Sequence, residues 1–158
     1  MEVIRRFRPR TVLAPFPEDR HPDHGATGIL IRDSCFLAGV ARYGQGAAYR
    51  PPLLLYYMIH HPFTPTLVLD ISGVFLQKMA AIRAYESQFL DDSARPQSTI
   101  SGPGFLRMVE ARAAWYGAMI GAAYGEPFAK TGPLRVTGVS NVLVPAYDEG
   151  DLATYSIF

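Results

Sequence analysis

The sequence predicts an α/β fold in which helices cover one small sheet. Three short apolar runs, bounded by proline, glycine or polar residues, have the length and composition of buried strands. Longer amphipathic segments separate them, and the order strand, helix, strand, strand, helix, helix is typical of a layered α/β domain. The 158 residues fit one domain, and a hydrophobic fraction of 49% with 18% charged residues excludes a disordered chain and a coiled coil.

The first third of the chain supplies a short helix, a strand and a longer helix. Residues 2–8 have apolar positions on one helical face and end at Pro9. Residues 11–14 are predicted to form a strand that is too apolar for a sheet edge, so we expect either missing chain or a partner subunit to pair with it. A helix is predicted over 23–42. Its apolar positions are Ile29, Leu30, Phe36, Leu37 and Val40.

The remaining elements are two strands and two helices. The strands are predicted over 53–59 and 67–71, and Ser72 is expected to cap a helix over 74–89. The side chains expected to point inward from that helix are Leu76, Met79, Ile82 and Phe89. A polar loop over 91–104 precedes a helix over 105–124, which ends at Gly125 and Pro127. Small residues on this last helix predict close packing against another helix, and 142–144 is a candidate edge strand.

Charge and cysteine content narrow the function classes. Lys and Arg total 15 against 14 Asp and Glu, and this net charge of +1 is far from the basic balance of a general nucleic-acid binder. No apolar stretch is long enough to predict a membrane span, so we expect neither nucleic acid nor a membrane as a partner. The single cysteine, Cys35, cannot form an internal disulfide and is expected in the core, and a cytoplasmic location is the default.

The segment richest in ionisable and metal-ligating side chains is residues 18–24, Glu-Asp-Arg-His-Pro-Asp-His. It follows the carboxyl end of a predicted strand and precedes a helix, which is where open α/β sheets bind ligands. His21 and His24 could bind a metal together, or one could bind metal while the other moves protons. An equally weighted alternative is that Asp23 caps the helix and that the other residues form a solvated loop.

Two other positions carry metal-ligating residue types. His60 and His61 are adjacent in an extended segment, so their side chains point to opposite faces and cannot readily share one metal. A plain loop is favoured for this pair, with one of the two as a candidate to reach the site. Asp70 is either a ligand or a cap for the next helix, and the cap is favoured. No nucleophile elbow and no phosphate-binding loop occurs in the sequence.

Residues 17–24, Pro-Glu-Asp-Arg-His-Pro-Asp-His, resemble the second signature of the LmbE-like (PIG-L) zinc de-N-acetylases. Segments 56–63, 68–72, 78–89 and 111–128 extend the resemblance, which covers about 3–134. The stretch Ala-Tyr-Glu-Ser-Gln-Phe beside Arg-His-Pro-Asp-His is similar to the branch that deacetylates N-acetylglucosaminyl malate in bacillithiol biosynthesis. The resemblance implies a partial deacetylase domain over 1–134 and a divergent tail over 135–158.

The resemblance also implies a chemistry and residue roles. The family hydrolyses an acetamide with zinc, with water as nucleophile and a carboxylate as general base. By resemblance His24 is the zinc ligand of this motif, and His21 polarises the carbonyl or stabilises the oxyanion. Asp23 orients His21, because a neighbouring carboxylate fixes an imidazole and raises its pKa. Arg20 holds the loop or the amino-sugar substrate.

One departure from the family decides what we expect of this chain. The first signature, Ala-His-Pro-Asp-Asp-x-Glu, is absent, and in the family it carries two zinc ligands and the general base. The chain therefore resembles the C-terminal part of the Rossmann-like fold, with the N-terminal half-sheet missing, and we expect negligible activity from it alone. The alternative is a non-catalytic interaction subunit whose site another chain completes. Phe105 replaces a tyrosine found in some relatives, so the role of that tyrosine is not carried over to this chain. Separately, we expect the chain to self-associate into a homo-oligomer.

Overall fold

The computed structural model describes residues 1–85 and 103–135. In chain order its elements are α1 (Glu2–Phe7), β1 (Thr11–Pro15), α2 (Pro22–Ala38), β2 (Leu53–Tyr57), β3 (Leu67–Asp70), a 3₁₀ turn (Ser72–Val74), α3 (Phe75–Arg83), α4 (Pro103–Ala118) and β4 (Gly125–Ala129). Residues 91–102 of the predicted loop, the end of the helix predicted to 89, Phe89 itself, the candidate strand 142–144 and nearly all of the tail lie outside the described residues. The last two residues of the predicted loop belong to α4, which begins at Pro103 rather than at Phe105. Within them, no helix combines the length and apolar character needed to cross a bilayer.

The four described strands form one mixed sheet in the order β1-β2-β4-β3. β1 and β2 are parallel, with Thr11 opposite Leu53 and Pro15 opposite Tyr57, whereas β4 runs antiparallel to both of its neighbours. The predicted α/β class is therefore confirmed. Among the described residues β1 lies at the edge of the sheet, and its expected pairing with missing chain or a partner subunit stays a prediction.

β4 is a strand that was not predicted from the sequence. The helix predicted to reach residue 124 ends at Ala118 instead, and the chain turns through Gly121, whose φ of 72° lies in the left-handed region. Of the small residues predicted to pack against another helix, Ala113 does so in the cluster with α3, whereas Gly117 packs against the returning chain. A Cβ on Gly117 would lie 2.7 Å from the carbonyl oxygen of Ala122, so the returning chain passes directly against the helix.

In the two N-terminal helices, the residues that are buried differ from those predicted by the apolar pattern. In α1, Val3 and Phe7 are exposed, and the buried side chain is Arg5. The Arg5 guanidinium donates hydrogen bonds to five backbone carbonyls, those of Leu37, Ala38, Val40, Gln45 and Gly46. It thereby satisfies carbonyl groups at the end of α2, where helix carbonyls lack intrahelical partners.

Helix α2 packs through small residues. Its buried positions are Gly25, Gly28, Cys35 and Ala38, while Ile29, Leu30 and Phe36 are exposed. A Cβ on Gly28 would lie 2.4 Å from the carbonyl oxygen of Pro15, so the helix approaches the end of β1 at backbone distance. The burial of Cys35 agrees with the prediction.

The larger core cluster lies between α3 and α4. It consists of Ile71, Phe75, Met79, Val109 and Ala113, with Ile82 packed against it. Leu76, predicted to point inward, is 82% exposed. The predicted caps at Ser72 and Asp70 are wrong, because neither the 3₁₀ turn nor α3 has a side-chain cap. Asp70 instead forms a local turn, in which its Oδ1 accepts hydrogen bonds from the Ser72 N–H (2.8 Å) and hydroxyl (2.7 Å).

Candidate metal centre and adjoining pocket

The candidate site lies where the parallel strands β1 and β2 end. The loop after β1 carries residues 16–21, and the segment after β2 carries His60. Because Pro15 and Tyr57 are opposite each other in the sheet, the two loops leave the sheet at the same edge. Helix α2 begins at Pro22 directly after the first loop, and His24 lies in its first turn.

Asp19 organises the site through three hydrogen bonds. Its Oδ1 accepts the backbone N–H of His21 at 3.1 Å and lies 3.0 Å from Nδ1 of His24. Its Oδ2 accepts the backbone N–H of His60 at 2.9 Å. The carboxylate is 2% exposed, so one buried side chain joins both loops to the first turn of α2.

The charge on Asp19 is stabilised in the folded chain. Burial alone would raise the pKa of Asp19, but the His21 and His60 amides and the His24 ring outweigh it and hold the pKa well below its usual range. Burial lowers the pKa of His60, and the positive charges of Arg20 and Arg112 add to this, whereas Asp19 opposes it. His60 is therefore held as a neutral imidazole, the form that binds metals.

Asp19, His24 and His60 together fit a divalent transition metal. Each offers one ligand atom, and these atoms all lie within 4.8 Å of one another. Two imidazoles and a carboxylate are a donor set of catalytic zinc sites. Nδ1 of His24 lies 3.0 Å from Oδ1 of Asp19, a separation at which both atoms can contact one ion. The ring planes of His24 and His60 are stacked, with centroids 5.5 Å apart.

His21 and Asp23 lie at the solvent side of this cluster. His21 is the N-cap of α2: its Nδ1 accepts the backbone N–H of Asp23 at 3.2 Å. The Asp23 carboxylate lies 4.0 Å from the same nitrogen and is 86% exposed. The backbone of Asp23, rather than its carboxylate, therefore makes the contact that orients His21, and the alternative that Asp23 caps the helix is wrong.

The His21 ring is close to the candidate metal ligands. Its centroid is 4.9 Å from that of His24. Because Nδ1 accepts a hydrogen bond, the proton of the neutral ring is assigned to Nε2, which makes that atom a donor. Arg20 is exposed on the loop, and its charge acts on His60.

A cavity of about 640 Å³ opens beside His24. Its walls are mainly apolar and come from β2, α3 and α4. The charged side chains that line it are Lys78, Arg112 and Glu126. Phe105 also lines the cavity, with its ring centroid 6.3 Å from that of His60. Lys78 forms an ion pair with Glu126.

Three of these residues were not predicted as site residues. Asp19 and Arg112 were counted in the resembling segments without a role, and His60 was favoured as plain loop. The alternation rule did carry a usable signal, because it allowed only one of His60 and His61 to face the site. The structure places His60 in the cluster and leaves His61 exposed outside it.

Comparisons with known proteins relate the chain to deacetylases. No protein-family model matches it. A curated relative, the diacetylchitobiose deacetylase of Thermococcus kodakarensis, is 32% identical over 130 residues, which cover 78% of this chain and 46% of that protein. The chain thus spans about half the length of this relative.

Solved structures agree with this relationship. The conserved protein TT1542 of Thermus thermophilus is 35% identical with a TM-score of 0.73, over 85% of this chain and 57% of its own. The N,N'-diacetylchitobiose deacetylase of Pyrococcus horikoshii is 27% identical with a TM-score of 0.55, over 80% of this chain and 47% of its own. GalB, a 4-carboxy-2-hydroxymuconate hydratase of Pseudomonas putida, shares the fold. It is 21% identical with a TM-score of 0.66, over 87% of this chain and 58% of its own.

These findings confirm the predicted fold as a partial LmbE-like α/β layer. They support a deacetylase family for the chain and give no preference for the bacillithiol branch.

Proposed function

We propose that this chain carries part of the active site of a zinc-dependent hydrolase that removes the N-acetyl group from an N-acetylglucosamine-type substrate. The observation that carries the proposal is the Asp19, His24 and His60 cluster, which lies beside a cavity large enough for a sugar. The relationship to diacetylchitobiose deacetylases supplies the reaction class.

His24, His60 and Asp19 would hold the zinc. Their fit rests on the donor set and on the mutual proximity of the three residues: the Asp19 carboxylate contacts the ring of His24 and accepts the backbone N–H of His60. Zinc, when bound, supplies a Lewis acid that polarises the acetamide carbonyl. No other histidine or acidic residue in the described parts of the chain joins the cluster.

His21 is the proposed donor to the developing oxyanion. Its Nε2–H is free to donate because Nδ1 is occupied by the Asp23 N–H. As the N-cap of α2, the ring is held on a rigid element, which suits a group that must be oriented before charge develops. Asp23 acts as the positioning residue through its backbone amide, and its exposed carboxylate adds negative charge near His21.

The general base is not provided by the cluster. A carboxylate with a strongly lowered pKa is a poor proton acceptor, and Asp19 also uses three of its roughly four lone-pair positions on His21, His24 and His60. We therefore propose that a segment of the first-signature type, Ala-His-Pro-Asp-Asp-x-Glu, supplies the base and further ligands.

The proposed substrate is an amino sugar whose acetamide lies at the cluster. Arg20, exposed on the loop beside His60, is proposed to contact it. The motif resemblance makes N-acetylglucosaminyl malate the first compound to test, and the relatives make diacetylchitobiose the second. A cytoplasmic location and a homo-oligomeric state complete the proposal.

Zinc binding and acetate release test this function. The chain is titrated with zinc and assayed on both compounds, alone and mixed with a separately expressed segment that carries the first signature. We expect one tightly bound zinc and acetate release from the mixture, abolished by a chelator. H24A and H60A should each weaken zinc binding by about 100-fold or more, whereas H61A, which changes an exposed histidine outside the cluster, should not. No zinc binding, together with no acetate release in either arm, refutes the proposal.

A second candidate is a non-catalytic subunit that pairs with another chain. The observation in its favour is the position of β1 at the edge of the described sheet, with Leu13 52% exposed. Co-purification of this chain with a first-signature chain, lost when Leu13 is replaced by Lys, supports that candidate. Full acetate release from the chain alone contradicts it, and also contradicts the expected inactivity of the isolated chain.

A further inference from the structure

Helix α4 has an exposed apolar face on the side turned away from the core. Val109 and Ala113 are buried against α3, whereas Trp115 is 65% exposed and Met108 is 38% exposed. Met119, whose N–H donates to the Trp115 carbonyl, extends the face beyond the helix and is 60% exposed. At 3.6 residues per turn, the residues of this face lie within about 140° of the helix circumference, which is wide enough to pack against another element. The α4 face consists of Met108, Ala111, Ala114, Trp115, Ala118 and Met119.

Large and small side chains are interspersed on the α4 face. Met108, Trp115 and Met119 project from it, and three alanines lie between them. Such projections and depressions form the ridges and grooves through which helices pack against each other. Arg107 is the one charged side chain on this arc of the described helix. The face is therefore suited to a second helix.

A second copy of α4 complements this face when the two helices run antiparallel and cross at Ala111. Residues equally far from Ala111 on the two copies then face each other. Met108 of one copy faces Ala114 of the other, so a large side chain meets a small one. Arg107 of one copy faces Trp115 of the other, which suits a cation–π contact. Because the axis is two-fold, each contact forms twice.

A parallel pair is disfavoured by the same residues. It would set Trp115 against Trp115 and Arg107 against Arg107, so two bulky rings would compete for one space and two like charges would repel each other. The volumes and the charge of the face therefore select the antiparallel orientation.

The size of the face predicts a weak dimer. From the area that an aromatic side chain presents, the exposed parts of Trp115, the two methionines and the alanines make roughly 300–400 Å² per copy. A standard stable interface buries about 800 Å² per partner. We therefore expect a dissociation constant of about 10–100 µM.

We propose that the α4 face is a homodimer interface, in which two copies of this chain pack their α4 helices antiparallel about Ala111. This inference rests on the homo-oligomeric state in the proposed function and names the surface that forms it. It does not depend on the reaction, because Val109 and Arg112, which line the cavity, lie on other sides of the helix.

Sedimentation equilibrium and tryptophan fluorescence of the metal-free chain, between about 1 and 500 µM, test the interface. Trp115 is the single tryptophan of the chain, so its emission reports on this face. We expect a monomer with solvent-exposed emission at low concentration and a dimer with emission at shorter wavelength at high concentration. A monomer throughout overturns the proposal. Emission of a buried tryptophan in the monomer also overturns it, because another part of the chain then covers the face.

Two substitutions identify the surface. A111E places two carboxylates at the crossing point, and W115A removes the largest projection, so each should raise the dissociation constant about 10-fold or more. L76E is the control, because Leu76 is 82% exposed on α3 outside the face, and it should change the constant by less than about 2-fold. Unchanged dimerisation in A111E and W115A overturns the proposal. Thermal unfolding checks each variant, and if one does not fold, the other decides.

Cysteine crosslinking tests the orientation. A disulfide requires Cα atoms within about 7 Å, which the antiparallel crossing provides for A111C. A114C makes the same chemical change on the same face but faces Met108 of the other copy, so it should not crosslink. The wild-type chain, whose Cys35 is buried, gives the background. Equal crosslinking of A111C and A114C contradicts the antiparallel pairing.

Failure of this inference is distinguishable from failure of the proposed function. Zinc titration of A111E should match that of the wild-type chain, because the substitution lies away from the cluster. A monomeric wild-type chain that binds zinc overturns the interface and leaves the metal site in place. A wild-type dimer that binds no zinc and gives no acetate release with the first-signature segment overturns the reaction and leaves the interface in place.

Discussion

Replacement of Asp19 by Asn tests whether one carboxylate holds the candidate site together. An Asn amide keeps one oxygen, which can take the place of Oδ1 and accept from the His21 amide and the His24 ring. Its NH₂ group then faces the His60 N–H, which is also a donor. One charge-assisted hydrogen bond is lost and two donors oppose each other, so we expect D19N to lower the free energy of unfolding by about 2–3 kcal/mol. D19A removes all three acceptor contacts and should cost roughly 3–5 kcal/mol.

The measurement is urea unfolding of metal-free protein in the presence of a chelator. D33N is the matched control, because Asp33 is an exposed carboxylate in an ion pair with Arg32. We expect it to change the free energy of unfolding by less than about 0.5 kcal/mol. If D19N is as stable as D33N at pH 7, the reasoning about Asp19 is wrong.

The same variant predicts a pH dependence with a defined sign. The folded pKa of Asp19 lies below the unfolded value of about 3.9, so its contribution to stability is complete above that pH and is lost as the pH falls toward the folded pKa. The stability difference between wild type and D19N should therefore stay constant from about pH 8 to pH 5 and shrink below about pH 4. A difference that shrinks between pH 8 and 6 instead would assign the effect to a histidine.

Three further substitutions test other parts of the structure. R5A should lower the free energy of unfolding in urea by about 3 kcal/mol, because a buried guanidinium bonded to five carbonyls is lost, while R6A, an exposed neighbour, should change it by less than about 0.5 kcal/mol. H21N should keep the N-cap and its stability but lower acetate release by about 10²–10³-fold, whereas H21A should lower both, with about 1 kcal/mol lost; full activity in H21N excludes the oxyanion role. G28A should lower the midpoint of thermal unfolding, because the added Cβ would lie 2.4 Å from the Pro15 carbonyl oxygen. G104A, in α4, adds a Cβ with no neighbour within 4 Å and should raise the midpoint, because Ala favours a helix more than Gly does. Equal shifts in the two glycine variants would contradict the close approach of α2 to β1.

The strands and helices that follow from local pattern were predictable. β1, β2 and β3 are short apolar runs between residues that break regular structure, and this pattern can be read without knowing the distant contacts. β4 was not predictable in this way, because Gly125 and Pro127 have low strand propensity. Its conformation is imposed by β2 on one side and β3 on the other, which are tertiary contacts.

The buried faces of α1 and α2 were predicted wrongly for a related reason. The apolar pattern assumes that large side chains are buried, but α2 approaches β1 so closely that only Gly25 and Gly28 fit between them. A buried arginine such as Arg5 is also invisible to a hydrophobic pattern, since its burial depends on carbonyl acceptors from α2 and the loop that follows.

The candidate site was partly predictable. The density of ionisable residues in 18–24 identified the loop, and the resemblance assigned His21, Asp23 and His24. The role of Asp19 depends on two backbone amides, and one belongs to a residue 41 positions away. His60 reaches the site only because β1 and β2 pair in parallel with their ends aligned, and the sequence does not encode that register locally.

The position of β4 has a consequence for how the chain folds. β1, α2 and β2 can assemble from neighbouring segments, but β3 has no contact with β2 until β4 enters between them, pairing Tyr56 with Ala129 and Asp70 with Gly125. Such distant pairing carries a large loop-closure cost and is slow. Until it occurs, β2 exposes an open edge that favours aggregation. Glu126 belongs to β4, so the cavity and its ion pair with Lys78 exist only after this last strand is in place. A ligand of the cavity would therefore act as a folding aid, trapping the completed sheet and raising the yield of refolding from urea.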